Sequence, residues 1–429
     1  MTFSVLAGRV QALAIGILFF SVPFSIAGDE LAVLLLYLAG IGALVQGQAH
    51  WPKTGLNLWL LAVVLSALLA ALLAPHPGAG FASLRNLWRF ALPFALALAL
   101  TPKRLKLGLT LMAGTTILVG FYAVLQHQNG IDLFRSEQLQ AEYLIHRGSW
   151  HAVGAFSHHL TFGGVMLLVA GLLAPLGLVK ELSPKLRGLF AMAGLFALYS
   201  AYASMGRSIW LGLLALAFTA LALLLRRRAW ILLVPAALVF VFALWVQQSP
   251  VLQQTLSKTP TGQRFVEGLD SSENMDRLLM WQAAKTAIVD HPWVGLGPGQ
   301  GESLQPYYDE LALATGHNFE HPAKTGVHNI FLQNLVDFGL LGTAAFLGWW
   351  GWVFFSLWKG WHQNPQLNFY QALRLGSMAG LVGSWSAGFF ENNFRDGEVQ
   401  VVILMVHGLA LWLSLSPHLG TQGQSEPCP

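Results

Sequence analysis

Apolar runs of about 17 to 22 residues recur from one end of the chain to the other, each long enough to cross a hydrocarbon layer of roughly 30 Å as a helix. Their positions predict twelve spans, at about 10–27, 30–47, 56–74, 83–100, 106–126, 159–179, 187–203, 208–225, 229–247, 328–356, 370–390 and 398–417. Two polar segments interrupt this pattern, 127–157 and 248–327. The spacing of spans is uneven and no internal repeat is evident, whereas inverted-repeat carriers tend to show two comparable halves. The pattern predicts one all-α polytopic membrane domain over 1–429, with a smaller loop at 127–157 and a large helical loop at 248–327.

Within the large loop, Ser271-Ser272-Glu273 offers a helix start with a capping hydroxyl and an early acidic residue. The helix should run from about 273 to 290 and stop before Pro292. On it Arg277, Trp281, Ala284 and Ile288 share one face, directed at the membrane domain. The next stretch, Pro292-Trp293-Val294-Gly295-Leu296-Gly297-Pro298-Gly299-Gln300-Gly301, reads as turns.

Composition agrees with a membrane protein: 55% hydrophobic and only 10% charged residues lie outside the range of soluble domains. Charge then gives orientation. With the N-terminus inside, inner loops hold Lys53, Lys103, Arg104, Lys106, Lys180, Lys185, Arg187, Arg226, Arg227, Arg228, Lys359 and Arg374, whereas the short outer loops hold only Arg85, Arg89, Arg207 and Arg395. Both termini are therefore expected in the cytoplasm and both long loops on the opposite face. Arg9 and the apolar stretch ending Ser25-Ile26-Ala27 imitate a signal peptide, but the run is long and eleven more spans follow. A single cysteine, Cys428, excludes an intrachain disulfide.

Apart from Glu181 and Glu426, the acidic residues fall in outer loops or at outer span ends. Coupled carriers commonly keep a carboxylate near the midplane, so this distribution counts against a secondary transporter. Arg207, in Ser204-Met205-Gly206-Arg207-Ser208 between two apolar helices, is placed where a charge usually serves a function. Arg277, on a buried stripe, needs a partner, and a phosphate suits a guanidinium.

His328-Asn329 opens the tenth span, where an imidazole can act as a general base or merely cap the helix end. His317, His321 and His328 suggest a metal site only weakly, because Pro322 and non-helical surroundings remove the i, i+4 geometry. The glycines at 295–301 lack the Lys-Ser/Thr of a phosphate loop. Arg85 and Arg89 either grip an anionic headgroup or snorkel to the interface, and Arg264 is similarly ambiguous.

The order of these parts resembles the O-antigen ligases, of the superfamily that includes O-antigen polymerases and some protein O-oligosaccharyltransferases. The resemblance rests on Ser204-Met205-Gly206-Arg207-Ser208, on Arg277 with Trp281 and Ala284 leading to Pro292-x-x-Gly295-x-Gly297, and on His328-Asn329 followed by Asp337-Phe338-Gly339-Leu340-Leu341-Gly342. Gly154-Ala155-Phe156-Ser157-His158-His159 fits a family Gly-x-Phe pattern only partly, which leaves Arg147, His151 and His158 without a firm assignment.

The resemblance implies a GT-C-like membrane glycosyltransferase that moves a glycan from undecaprenyl pyrophosphate to a sugar hydroxyl of lipid A core. It also implies a periplasmic active site in the bacterial inner membrane, with no cofactor, no metal and no nucleic-acid partner. Arg207 and Arg277 would hold the donor pyrophosphate and His328 would deprotonate the acceptor. Arg264, Arg85, Arg89, Asn329 and Arg147 are further candidates for substrate contact. With one base and no evident carboxylate nucleophile, a single inverting displacement is expected. A polymerase, which extends a lipid-linked chain, and a lipid or anion carrier are the alternatives.

Overall fold

The computed structural model describes residues 3–134, 144–145, 149–269, 271–319, 323, 326–364 and 366–416. Arg135, Arg147, His321, Pro322 and Cys428 lie outside the described residues. Helices make up almost all of the rest. The short strands Leu144–Ile145 and Ser149–Trp150 pair antiparallel. Several helices begin where a hydroxyl precedes proline: Thr101-Pro102, Ser183-Pro184 and Ser249-Pro250, each hydroxyl accepting a first-turn backbone N–H.

In chain order the helices are α1 Phe3–Ser21, α2 Ile26–Val45, α3 Gly55–Leu73, α4 Pro77–Ser83, α5 Leu92–Ala99, α6 Pro102–Asn129, α7 His159–Leu173, α8 Pro184–Ala203, α9 Arg207–Leu225 and α10 Leu233–Gln248. They continue with α11 Pro250–Leu256, α12 Pro260–Leu269, α13 Ser271–Asp290, α14 Gly301–Thr315, α15 Ile330–Gln363, α16 Phe369–Gly388 and α17 Gly397–Leu415. Each stretch expected to span the membrane overlaps a helix, but those at 10–27, 83–100 and 370–390 are not among the described helices long and apolar enough to cross one. Among the described residues eight helices are long and apolar enough to cross a membrane, and one of these, Arg207–Gln248, contains two of the predicted spans. The stretch at 83–100 is composite, with 3-10 winding over Leu84–Ala91 before α5.

α7, α16 and α17 are buried on nearly every side and form the centre. Small residues let them approach. A Cβ added at Gly376 would lie 1.9 Å from the Gly171 carbonyl oxygen, and one at Gly383 would lie 2.8 Å from that of Gly212, on α9. In contrast α10 leaves Leu233, Val234, Leu238, Phe240 and Trp245 exposed, as a lipid-facing helix does.

The large insertion carries a second core, in which Met280, Ala283, Ala284 and Ala287 of α13 meet Leu304 and Tyr308 of α14. The helix expected from 273 to 290 is present as Ser271–Asp290, and its predicted inward face includes the buried Ala284. Glu302 in the first turn and Gly316 at φ +68 after the last mark the ends of α14, which the sequence reading did not single out.

The glycine-rich stretch after α13 docks on α15. At Gly339 (φ +60, ψ −162) α15 is broken. There Leu340 and Leu341 donate their N–H groups to the carbonyls of Pro292 (2.8 Å) and Trp293 (3.1 Å), while Leu296 donates to the Val336 carbonyl (2.7 Å). A Cβ at Gly339 would lie 2.4 Å from the Trp293 backbone, and one at Gly295 would lie 2.4 Å from the Val336 oxygen. Only two glycines permit this contact. Within 295–301 the N–H groups of Gly295 and Leu296 are thus taken by the carbonyls of His291 and Val336.

Candidate active site

Two tight turns position the polar residues. The first joins α8 to α9 through Ser204, Met205 and Gly206, with buried Met205 at φ +55. The Ser204 carbonyl accepts from Nδ1 of both His151 and His159, each at 2.8 Å. The smaller loop is itself tied down. Gln126 on α6 accepts from the N–H groups of Val153 (3.1 Å) and Gly154 (2.8 Å) and donates to the Gly154 carbonyl (3.1 Å). Burial pushes the His151 imidazole down to about 4, against the Ser204 hydrogen bond, with Arg264, His127 and His158 adding to the depression.

The product of this scaffolding is the position of Arg207, the first residue of α9, where the positive end of the helix dipole adds to its charge. Its Cδ lies against α12, 3.2 Å from where a Cβ on Gly268 would stand.

The second turn is Val327-His328-Asn329, ahead of α15. Trp281 of α13 donates its indole N–H to the Val327 carbonyl (3.0 Å), and Gln333 accepts the Val327 N–H (3.0 Å). Asn329 caps α15, its Oδ1 accepting from Phe331 (2.9 Å) and Leu332 (3.0 Å) while its Nδ2 donates to the Phe389 carbonyl (3.0 Å). Asn329 therefore serves the turn itself. His328 between them has φ +48, a conformation that non-glycine residues adopt rarely and often at functional sites.

His328 Nδ1 is 3.1 Å from Glu391 Oε1, which also accepts the Asn392 N–H (3.1 Å). Arg277 Nη2 stands 4.0 Å from Glu391 Oε2. A carboxylate only accepts, so the Nδ1 facing it carries the proton and Nε2 is the basic nitrogen. Burial would raise the Glu391 carboxyl, but the hydrogen bond and charge of His328, the Asn392 N–H and the Arg277 guanidinium together hold it below the ordinary carboxylate value. His158 adjoins this corner: burial lowers its imidazole, Glu391 acts to raise it and His328 to lower it.

The arginines expected from sequence thus separate. Arg277 meets His328 through Glu391, whereas Arg264 pairs with Glu267 on its own helix at 2.9 Å. Arg89 is buried, ion-paired with Glu30 and donating to Gln400 at 3.1 Å, which ties the loop ends of α2 and α17 together. Arg85, one turn away, lines a cavity. His317 bonds to Asp276, and no cluster of three metal-ligating side chains occurs among the described residues.

Glu391, which the structure sets against both His328 and Arg277, was not singled out from the sequence. Its signal was the polar stretch Glu391-Asn392-Asn393-Phe394-Arg395-Asp396 between two apolar helices, which the sequence reading treated as a short outer loop.

Residues 190–347 match the family model described as O-antigen ligase. No curated protein matches the chain. The matched segment contains Arg207, Arg277 and His328, while Glu391 and His158 lie beyond it. Over that segment the chain is similar to the O-antigen ligases, and its long apolar helices are of a length and composition that can cross a membrane several times.

Proposed function

We propose that the protein transfers O-antigen polysaccharide from undecaprenyl pyrophosphate to a sugar hydroxyl of lipid A core, on the periplasmic face of the inner membrane. The observation that carries this reading is the His328–Glu391–Arg277 corner, in which a general base and a cation for a phosphate sit on one carboxylate. A sugar hydroxyl is a poor nucleophile until a base takes its proton. His328 Nε2 accepts that proton as the hydroxyl oxygen attacks the anomeric carbon. The bond from that carbon to the pyrophosphate breaks, and undecaprenyl pyrophosphate leaves with its charge spread over Arg277 and Arg207.

Glu391 orients the imidazole and stabilises the imidazolium that forms, as the acidic member of a hydrolase triad does. It is poorly suited to attack carbon itself, because His328 and the Asn392 N–H hold one oxygen and Arg277 faces the other. A single displacement with inversion follows. Arginines meet the charge that a divalent metal would otherwise neutralise, so transfer should proceed in a chelator.

The test is a reconstituted reaction offering the lipid-linked glycan and lipid A core to wild type and to His328→Ala with chelator present. Transfer to lipid A core by wild type alone supports the reading. Lengthening of lipid-linked chains instead would make the protein a polymerase, and movement of labelled lipid without any transfer would make it a carrier.

A further inference from the structure

A cavity of about 530 Å³ lies between the Glu391 loop, α15 and the turn that carries Arg85, within the roughly 300–1,000 Å³ usual for small-molecule sites. A second, of about 350 Å³, adjoins it across Asp337 and Arg395. Its wall combines three kinds of chemistry. Phe346 and Phe394 supply aromatic surface, their rings packed edge to face at 5.4 Å. Asn334 and Asn392 supply planar amides, and Asn392 Nδ2 is buried with no hydrogen-bond partner among the described residues. Arg85 and Arg395 supply positive charge. Arg395 is held by Asp337 at 2.5 Å, whereas Arg85 makes no ion pair among the described residues.

This mixture fits a saccharide. The C–H face of a sugar ring packs against the negative face of an aromatic ring, and its hydroxyls match amides and guanidinium groups. The excess positive charge favours a sugar bearing an anionic substituent. A bare lipid chain would leave the amides and Arg85 unsatisfied.

The position of the cavity indicates which sugar. Glu391 Oε1 takes His328 and the N–H of Asn392, the residue that enters the cavity wall, while Oε2 faces Arg277. Neither Arg207 nor Arg277 lines the cavity, whose wall includes Asn392, the residue next to the carboxylate that meets His328. We propose that the cavity is the subsite for the acceptor sugar, an anionic saccharide held so that its neighbouring hydroxyl reaches His328. This rests on the transferase reading above.

Two variants test it in the full-length protein in nanodiscs. Ala82→Trp places an indole in the cavity from an exposed position on α4, and Arg85→Ala removes the cation. The probe is the soluble core oligosaccharide released from lipopolysaccharide by mild acid, with maltotriose as a neutral comparison. Wild type should bind the core oligosaccharide more tightly than maltotriose, and both variants should weaken it about tenfold, as expected for losing a charged hydrogen bond.

In the transfer reaction the KM for acceptor should rise by a similar factor, with the KM for donor and kcat retained. A rise in donor KM alone would give the cavity to the donor glycan and overturn the acceptor assignment. Unchanged binding and KM in both folded variants would remove the subsite. If wild type binds the oligosaccharide but transfers nothing from matched substrates, the transferase reading fails while the saccharide site stands.

Discussion

The turns at Ser204–Gly206 and Val327–Asn329 are built alike and held differently. Each joins two structural elements through a non-glycine residue at positive φ, Met205 in one and His328 in the other, and each delivers a charged or titratable side chain to the loop end of the bundle. The first is fixed by a carbonyl that two histidines share, and the second by a carboxylate, an arginine and an imidazole. In the first turn histidines serve as scaffolding and Arg207 is the product. In the second, under the proposed reaction, the histidine is itself the reactive group. Residue type alone did not separate these roles, but the nature of the acceptor facing each imidazole does.

The sharpest way to break the comparison is to remove one histidine from each turn. His328→Ala should lower transfer by about 10²–10⁴-fold, with donor binding largely intact, because a base acts in the chemical step. His151→Gln keeps a donor for the Ser204 carbonyl and should leave most of the rate. Equal losses in kcat would mean that both histidines act in the reaction, or that neither does.

Next come the arginines. Arg207→Ala and Arg277→Ala should each cost on the order of 10²-fold in transfer, by comparison with the loss of one electrostatic donor. Arg277 faces Glu391 Oε2 at 4.0 Å and helps hold its carboxyl down, so its removal should also raise the Glu391 carboxyl and move the acid limb of the pH–rate profile upward. A profile shifted equally by Arg207→Ala would erase the distinction between the turns.

Gly339→Ala tests the support beneath the second turn. The new methyl group would meet the backbone of Trp293 and Val294, and its φ of +60 is unfavourable for alanine, so a loss of about 1–3 kcal/mol is expected even if the loop moves aside. The measurement is the melting temperature in detergent. An unchanged value would show that the turn at 292–299 is not firmly docked on α15.

The helices were legible because a bilayer demands long apolar runs, and most of the runs expected to span are single helices, whereas 83–100 is split between 3-10 and α winding. So was α13, through its hydroxyl start and its stop before Pro292. The break in α15 was hidden, since Asp337-Phe338-Gly339-Leu340 carries no local sign that a distant loop supplies the missing carbonyls. Arg89 and Arg85 looked equivalent one turn apart, and the half-exposed Glu30 and the buried Gln400 around the first distinguish them. Glu391 was unreadable as a partner of His328 because 63 residues and two helices separate them.

The smallest expected effect concerns acid. His151 is neutral when folded, its imidazole pushed from 6.5 down to about 4, chiefly by burial. The unfolded chain therefore binds the extra proton first. The stability contributed is fully present above about pH 6.5 and is lost progressively as pH falls toward about 4. Glu391 is depressed as a carboxyl, so its contribution is present above the ordinary carboxylate value and is lost only as pH falls through its lowered one. On acidification the Ser204 turn should thus loosen before the His328 turn. Melting temperatures of wild type and His151→Gln compared between pH 7 and pH 5 should show the smaller decline in the variant, while Glu391→Gln should leave the decline over that interval unchanged. If His151→Gln declines as steeply as wild type, the proton that weakens the protein enters elsewhere, and the two turns do not differ in the way their hydrogen-bond acceptors imply.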